Sequence, residues 1–198
     1  MQTYKVEITF TEPLLGTAPL EEEIYTLYIA DKKADMTPVE LRDEIESLRE
    51  DKGVTGFHRN GDDEPFLYDY MIEGFLKDAC GMMRRARGTL SKKLTAYKKV
   101  IDGLVFVGER RIPLQMAGEL DVLERPLRAE TAQGPRVALA KSEMAPVGTK
   151  IAFTLRILDD KSVPLELLQE WFDYGSMRGL GQWRNGGYGR FEYTIMLA

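Results

Sequence analysis

The sequence contains one histidine and one cysteine, His58 and Cys80, among 198 residues. A single cysteine cannot form an internal disulfide, and one lone cysteine is not a metal cluster. No apolar run approaches the roughly 18 residues that a transmembrane helix needs. Residues 1–10, MQTYKVEITF, show no basic region followed by an apolar stretch. These absences predict a cytoplasmic protein with no membrane segment, no cofactor and no bound metal.

Charge is distributed unevenly along the chain. The formal net charge is −5, but residues 20–51 carry eleven acidic and four basic residues, a local charge of −7. Residues 77–111 carry ten basic and three acidic residues, a local charge of +7. Phosphate groups respond to the local field rather than to the total charge, so the second segment is a candidate nucleic-acid contact. Solvated surface lysines are the alternative explanation for the same residues.

Apolar periodicity predicts a mixture of strands and helices. Alternation of apolar and polar residues predicts strands at 4–10 and 150–158. Further strands are predicted from residue 104 to a turn at Gly108, and at 190–197. Helical spacing predicts helices at 37–52, 71–87 and 163–175. We expect Ser162 to cap the last helix. Arg84 and Arg85 then fall in the last turn of the second helix, where cations suit the negative end of the helix dipole.

Once insertions are set aside, the predicted order is strand, helix, strand, strand, helix, strand. This is the βαββαβ order of an α+β, ferredoxin-like (RRM-type) core, in which two helices cover one face of an antiparallel sheet. The other face needs an insertion, a partner or a ligand, and in RNA recognition modules it carries the bases. We predict one domain over residues 1–198, with its core at about 1–18, 66–87, 103–108 and 135–198, an acidic insertion at about 19–53 and a basic insertion at about 88–130.

The stretch RGLGQWRNGGYGRFEY, residues 178–193, contains five glycines between the last predicted helix and the last strand. Glycine permits positive φ and close backbone approach, and peptide N–H groups in such a loop can point toward an anion. Trp183 and Tyr188 are candidates to stack on bases, and the arginines of the stretch are candidates to pair with phosphates. The alternative is a tight connection whose glycines only let the loop fold back on its own helix.

Three segments carry a resemblance to a known family. GLGQWRNGGYGRF resembles the C-terminal glycine-rich loop of the repeat-associated mysterious protein (RAMP) superfamily, the RNA-binding RAMP proteins of CRISPR systems. YKVEITFTEPLLGT is similar to the first strand and turn of that superfamily. FLYDYMIEGFLKDACGMMRR is similar to the IPGSSLKGALR type of segment that opens the first helix of effector-complex backbone subunits, with Gly74, Leu76 and Lys77 matching. The chain also resembles uncharacterised proteins carried by prophages of Gram-positive bacteria.

The resemblance implies a modified RNA recognition fold that binds single-stranded RNA and assembles side by side along it. Matching positions would place Lys77, the N-terminus of the first helix and the loop Gly179–Gly189 near the nucleic-acid backbone. Residues 69–75 depart from the family pattern, because the usual serines are replaced and Glu73 is added. With the basic clusters, the predicted nucleic-acid-binding residues are Lys77, Arg84, Arg85, Arg128, Arg136, Arg178, Gly179, Gly181, Trp183, Arg184, Gly187, Tyr188, Gly189 and Arg190.

Candidate catalytic and metal groups are few. Some RAMP relatives are metal-independent endoribonucleases that use a histidine, which makes His58, beside Arg59, the one candidate general base. Other backbone subunits cut with an aspartate before the first helix, but Asp51, Asp62 and Asp63 do not fall in that pattern. Asp62, Asp63 and Glu64 are read as a solubilising loop rather than a divalent-metal site.

These patterns together favour a noncatalytic protein that binds single-stranded nucleic acid as a homo-oligomer or as a subunit of a larger nucleoprotein complex. The family resemblance alone implies RNA rather than DNA. We expect the acidic insertion of one copy to face the basic region of the next, a heterologous contact that repeats into a filament if the rotation does not close. Two alternatives stay open: an endoribonuclease using His58, and a phage-encoded protein-interaction module that mimics, joins or blocks a host complex.

Overall fold

A computed structural model describes residues 1–20, 54–131, 134–159 and 161–198, and for residues 127–139 it describes the backbone alone. All but the first two residues of the acidic insertion predicted at about 19–53, including its helix at 37–52, lie outside the described residues. Asp51 lies outside them as well.

The described part of the chain contains twelve β-strands and three α-helices. The strands are β1 Gln2–Phe10, β2 Leu14–Leu15, β3 Ala18–Pro19, β4 Val54–Gly56, β5 His58–Arg59, β6 Pro65–Tyr68, β7 Val105–Val107, β8 Arg111–Pro113, β9 Asp121–Thr131, β10 Gly134–Ala145, β11 Lys150–Ile157 and β12 Phe191–Leu197. The helices are α1 Asp69–Met83, α2 Tyr97–Leu104 and α3 Leu165–Arg178, with short 3-10 helices at Ser91–Lys93 and Arg184–Gly186. No helix in these ranges is both long enough and apolar enough to cross a bilayer.

The central sheet has the strand order β12-β1-β11-β7, and each neighbouring pair is antiparallel. Alternate residues of β1, from Tyr4 to Phe10, are buried, and the residues between them are exposed or half-buried. The same alternation appears along β11, from Ile151 to Ile157. The prediction of an α+β chain with an antiparallel sheet is confirmed.

Helices α1 and α3 pack against each other and contribute most of the buried helical side chains. The rings of Phe75 on α1 and Phe172 on α3 lie 5.4 Å apart at an interplanar angle of 66°. Gly175 makes room for Phe75, because a Cβ at this position would overlap the ring. Burying a large apolar side chain contributes about 1.5–3 kcal/mol, so this contact is a main attachment between the two helices.

Helix α1 ends earlier than its periodicity predicts. It stops at Met83, and the hydroxyl of Thr89 donates to the carbonyl oxygen of Met83 at 2.7 Å. Arg84 and Arg85 therefore follow the helix rather than forming its last turn, and the prediction that they complement the helix dipole from inside that turn is wrong.

Helix α3 begins at Leu165, and Pro164 occupies the N-cap position without a side-chain cap. Ser162 is not the cap that the sequence predicts. Its hydroxyl donates to Oδ2 of Asp159 at 2.7 Å, and so closes the turn that precedes the helix. Proline at the cap position fixes the extended backbone that enters α3.

Strands β9 and β10 form a long antiparallel hairpin, paired from Met144 with Asp121 to Gly134 with Thr131. The base of β10 also pairs with β2 and β4, so the hairpin is held at one end by the rest of the fold. The sequence predicts only a proline-punctuated basic segment where β9 lies. Pro126 is compatible with β9 because, among the described strands, β9 pairs with β10 alone and so lies at an edge of its sheet.

The segment between α1 and α2 is fixed to α3. The carboxylate of Glu170 accepts hydrogen bonds from the backbone N–H groups of Leu90 at 2.6 Å and Ser91 at 2.9 Å. Trp171 Nε1 donates to the Ser91 hydroxyl at 2.8 Å. This part of the predicted basic insertion thus has a defined position on the protein.

Candidate nucleic-acid interface

The glycine loop, residues 179–190, uses much of its backbone to bind the protein itself. Five of its N–H groups donate to carbonyl oxygens of this chain at 2.7–3.0 Å. These amides are not free to bind an anion, so the close fold-back expected for a tight connection accounts for this part of the loop. The donors and acceptors are Gly179 to Gly175, Leu180 to Gly189, Gly186 to Trp183, Gly187 to Arg184, and Gly189 to Pro13.

Two glycines are required by this packing. Gly189 has φ of +70°, and a Cβ there would overlap the carbonyl oxygen of Leu180. Gly181 has φ of +77°, and its Cβ would lie 2.7 Å from the carbonyl oxygen of Leu15. Side chains other than hydrogen are disfavoured in this backbone region and have no space here.

Gln182 fixes the loop to the base of the hairpin. Its Nε2 lies 2.6 Å from the carbonyl oxygen of Gly16, 2.5 Å from the hydroxyl of Thr55 and 2.8 Å from that of Ser142. Ser142 is fully buried and donates to the same carbonyl at 3.1 Å. The loop and β10 are therefore held in one arrangement.

The outer side of the loop presents two aromatic rings beside the hairpin. The ring centroids of Trp183 and Tyr188 lie 6.3 Å apart in an edge-to-face arrangement, and both residues are half-buried. The guanidinium carbon of Arg125, on β9, lies 5.8 Å from the centroid of Tyr188. Trp183 adopts φ of +52°, an uncommon conformation for a bulky residue and one that concentrates at functional positions.

The arginines of this surface differ in their partners. Arg184 forms an ion pair with Asp78 of α1 at 2.8 Å, whereas Arg178 donates to the neutral amide oxygen of Asn185 at 2.6 Å. Arg190 is exposed and its guanidinium lies alongside Gly187. Within the described residues, no carboxylate lies at ion-pair distance from Arg125, Arg178 or Arg190. Among the described residues, these three arginines of the loop and the hairpin therefore have no carboxylate partner.

Arg125 is missing from the list of predicted binding residues, whereas the other four residues of this surface are in it. Arg125 is 63 positions from Tyr188, and only the register of the β9–β10 hairpin places it beside the loop. Arg128 and Arg136 lie further along the same hairpin, opposite Val137 and Ala129.

Two of the three predicted contacts on α1 and directly after it have partners within the protein. Lys77 forms an ion pair with Asp102 of α2. The guanidinium of Arg84 lies 5.1 Å from the ring centroid of Tyr97, and Arg85 is exposed. Lys77 and Arg84 thus contribute to the packing of α1 with α2.

The N-terminus of α1 is occupied by the protein's own carboxylate. Asp69 accepts a hydrogen bond from the N–H of Tyr70 at 2.8 Å and is paired with Arg110 at 2.9 Å. A negative charge at this position interacts favourably with the helix dipole, and it disfavours a phosphate at the same place. This geometry argues against the phosphate contact that the family resemblance implies for the start of the helix.

Glu73 follows one turn later on α1, and burial raises its pKa above its ordinary value. Lys77 lowers the pKa, while Asp69 and Asp102 raise it. A carboxyl whose pKa is raised in the folded state stabilises the fold below the unfolded-state pKa and loses this contribution as pH rises through the folded-state pKa.

We expect Glu73→Gln to raise the free energy of unfolding at pH 7 and to leave it nearly unchanged at pH 4, because glutamine has no charge to desolvate. Urea unfolding at the two pH values measures the difference. Glu192→Gln, at an exposed position on β12, is the control. A Glu73→Gln variant that is less stable than the wild type at pH 7 would contradict the expectation.

The open face of the central sheet offers little for base stacking. It carries Lys5, Glu7 and Thr9 of β1 and the intervening residues of β11 and β12, and Lys150 pairs with Glu7 at 3.1 Å. In the described part of this face the one aromatic side chain is Phe106, on the edge strand β7. The surface that carries bases in RNA recognition modules is therefore charged and mixed in sign here.

His58 is buried, with an exposed fraction of 2%. Its ring stacks on Phe66 at 5.8 Å and meets the edge of Tyr68 at 4.7 Å, and Nε2 lies 3.4 Å from the hydroxyl of Tyr70. His58 is therefore enclosed by aromatic side chains rather than solvated. A ring enclosed in this way has no direct access to a phosphodiester, so the geometry does not favour the endoribonuclease alternative.

The acidic loop at residues 62–64 is organised by Asn60. Its side-chain oxygen accepts hydrogen bonds from the backbone N–H groups of Asp62 at 3.0 Å and Glu64 at 2.9 Å, and its amide donates to the Glu64 carboxylate at 2.8 Å. Over the described ranges, no three histidine, cysteine, aspartate or glutamate side chains cluster so as to hold a metal ion.

Comparison with solved structures finds the same fold in CRISPR complexes. A chain in the cryo-EM structure of the Type III-B Cmr-beta bound to cognate target RNA aligns with a TM-score of 0.58 and 13% identity, covering 99% of this chain and 60% of that one. A chain of a Type IV-B CRISPR complex aligns with a TM-score of 0.51 and 10% identity, covering 98% of this chain and 90% of that one. This chain thus spans only about three fifths of the length of the Cmr-beta chain.

At these identities the likeness is one of fold. No protein-family model and no curated protein matches the sequence.

Proposed function

We propose that this protein is a RAMP-like subunit that binds single-stranded nucleic acid, RNA in preference to DNA, and has no catalytic role of its own. It works in the cytoplasm as a homo-oligomer or as part of a larger nucleoprotein complex. The fold shared with chains of CRISPR complexes, one of them bound to target RNA, supports the choice of RNA and of a complex.

The finer description of the fold belongs to the same proposal. We interpret β1, α1, β7, β11, α3 and β12 as the six elements of a ferredoxin-like core. The strand order β12-β1-β11-β7 supports this, since it corresponds to fourth, first, third and second in the core, with all neighbours antiparallel. The acidic and basic segments are then insertions into one domain.

The observation that carries the functional proposal is the aromatic and arginine surface where the hairpin meets the glycine loop. We call this surface the hairpin–loop cluster and define it as Arg125, Arg178, Trp183, Tyr188 and Arg190. It combines ring faces, which stack on bases without regard to sequence, with guanidinium groups that have no carboxylate partner among the described residues and can pair with phosphates. This pairing of chemistries is what sequence-tolerant recognition of a single strand requires.

The other predicted residues then have supporting roles. Arg184 holds the loop to α1 through Asp78, and the glycines allow the fold-back that turns Tyr188 toward Arg125. Arg128 and Arg136 occupy positions further along the same hairpin. Lys77 and Arg84 keep α1 against α2.

We expect the wild-type protein to bind a labelled oligonucleotide of about twenty nucleotides with an affinity that falls steeply with salt, because binding releases counterions from the strand. Fluorescence polarisation of single-stranded RNA, single-stranded DNA and duplex DNA over a salt series measures this. A matched RNA hairpin without a single-stranded tail is the control. If neither single-stranded RNA nor single-stranded DNA binds at low salt, the proposal is contradicted.

A further inference from the structure

Strand β12 forms one edge of the central sheet. Within the described part of the chain it pairs with β1 alone. The N–H of Ala198 donates to the carbonyl oxygen of Thr3, and the carbonyl oxygen of Arg190 accepts from β1's side of the ladder as well, so the even-numbered residues of β12 bond to β1. In an antiparallel ladder the residues between them direct their N–H and C=O groups outward. The outward-facing residues are Phe191, Tyr193, Ile195 and Leu197.

This edge is open to a further strand. Across the described ranges, no backbone group of this chain bonds to the outward side of β12. The strand also lacks the features that protect edge strands, since its sequence FEYTIML has no proline and no lysine and it pairs with β1 without a bulge. Its exposed side chains include Met196 at 59% and Leu197 at 69%. Such an edge favours pairing with another strand.

The sequence of β12 is complementary to itself in one antiparallel register. Two identical strands related by a two-fold axis pair so that one residue lies opposite its own copy. With Thr194 at the axis, every residue of 191–197 has a partner, and the outward-facing residues of one strand lie opposite those of the other. With Tyr193 at the axis only residues 191–195 pair, and with Ile195 only residues 193–197 pair. With Glu192 at the axis, two carboxylates would lie opposite each other.

The side chains that meet in the Thr194 register are compatible on both faces of the sheet. On the open face Thr194 lies opposite its own copy and Glu192 lies opposite Met196, so like charges do not meet. On the face that packs against the helices, the opposing residues combine aromatic with aliphatic side chains. These pairs are Tyr193 with Ile195 and Phe191 with Leu197. A second copy of the same strand thus satisfies the outward hydrogen-bonding groups and the side chains together, which selects it as the occupant of this edge.

We propose that β12 pairs with β12 of a second copy of this chain, antiparallel and with Thr194 at the two-fold axis, so that the two central sheets become one. The contact is isologous and closes at two copies, unlike the head-to-tail contact expected between acidic and basic segments. It rests on the homo-oligomeric part of the proposed function and is independent of its nucleic-acid-binding part. Because the contact consists of backbone hydrogen bonds and uncharged pairs, added salt should not weaken it.

Opposite charges at the axis test this register. Thr194 is exposed, so Thr194→Lys and Thr194→Glu should both fold. Each variant alone should self-associate about tenfold or more weakly than the wild type, because like charges then lie directly opposite each other. An equimolar mixture should regain association, since the two new side chains carry opposite charges. Recovery between two variants of one position requires that the position faces its own copy. Sedimentation velocity over a concentration series, without nucleic acid, measures the association.

Thr194→Cys gives a second measurement that does not depend on charge. Opposite residues that exchange no hydrogen bonds in an antiparallel pair have Cα atoms about 4.5 Å apart, a separation that a disulfide can span. Mild oxidation should therefore link two copies, which a non-reducing gel detects. Ala152→Cys is the control, because Ala152 is exposed on the same face but lies on β11, and it should stay unlinked. The native Cys80 is buried.

The inference is overturned if the wild type stays monomeric, if the mixture fails to regain association, or if Thr194→Cys does not cross-link. It is also overturned if Ala152→Lys and Ala152→Glu weaken association equally, since a general charge effect would then explain the loss. Thermal melting checks that every variant folds. Oligonucleotide binding by a strictly monomeric protein would remove this inference and keep the nucleic-acid part of the proposed function. Association through Thr194 in a protein that ignores oligonucleotides would do the reverse.

Discussion

Replacing Arg125, Arg178 and Arg190 together with glutamine is expected to lower the affinity for single-stranded RNA by roughly a hundredfold, taking about 1 kcal/mol or more for each arginine–phosphate pair that is removed. The slope of log affinity against log salt should also become shallower by about 2, because each phosphate neutralised on a single strand contributes about 0.7. The reason is the proposed role of these arginines as phosphate contacts; none of them pairs with a carboxylate among the described residues. Polarisation over the same salt series gives both quantities.

The aromatic half of the hairpin–loop cluster is tested apart from its charge. Tyr188→Ala should cost about 1–3 kcal/mol of binding free energy for one stacked base and leave the salt slope unchanged.

Arg156→Gln is the control for the triple arginine variant, because Arg156 is exposed on the open face of the sheet. If Arg156→Gln lowers the affinity as much as the triple variant does, the strand binds the sheet face and the hairpin–loop cluster is not the site.

Gly189→Ala is expected to destabilise the fold by about 3 kcal/mol or more, because it combines a strained positive φ with steric overlap. The new methyl group would overlap the carbonyl oxygen of Leu180 and lie 3.0 Å from its carbonyl carbon. It would also disturb the hydrogen bond from Leu180 N–H to the Gly189 carbonyl at 2.9 Å. For a chain of this size the change corresponds to a fall in melting temperature of about 6–12 °C.

Gly74→Ala is the matched control for this glycine variant. Gly74 is an exposed residue inside α1, and a Cβ there would have no atom within 4 Å. Alanine should stabilise the helix by about 0.5–1 kcal/mol, since glycine loses more backbone entropy on folding. If Gly189→Ala melts at the wild-type temperature, the close approach between Leu180 and Gly189 does not exist in solution.

Local sequence patterns predict much of the fold, because a helix or strand that buries one face repeats its apolar residues at a fixed spacing. The alternation in β1 and the spacing of Ile72, Phe75, Leu76 and Ala79 in α1 each report which face is buried. The residue at which a helix or strand ends is harder to predict from this periodicity. The predicted helix runs past Met83, because the residues that follow are helix formers and the Thr89 contact that ends the helix lies six positions further on.

The candidate site depends on contacts that no local pattern contains. Five glycines indicate a tight loop, but they do not say whether its amides face a ligand or carbonyl oxygens of the same chain. That is decided by partners as distant as Pro13, which accepts from Gly189. Arg125 likewise becomes part of the hairpin–loop cluster only through the pairing of β9 with β10. Residue propensities do not predict β9, because Pro126 is unfavourable inside a strand.

The three contacts of Gln182 join it to residues 40, 127 and 166 positions away. Contacts at such separations close long loops, and each closure costs chain entropy. A local opening that breaks them would release the segment that presents Trp183 and Tyr188, while the hydrogen bonds inside the helices and strands stay formed. The proposed binding surface would then be lost under milder conditions than the secondary structure.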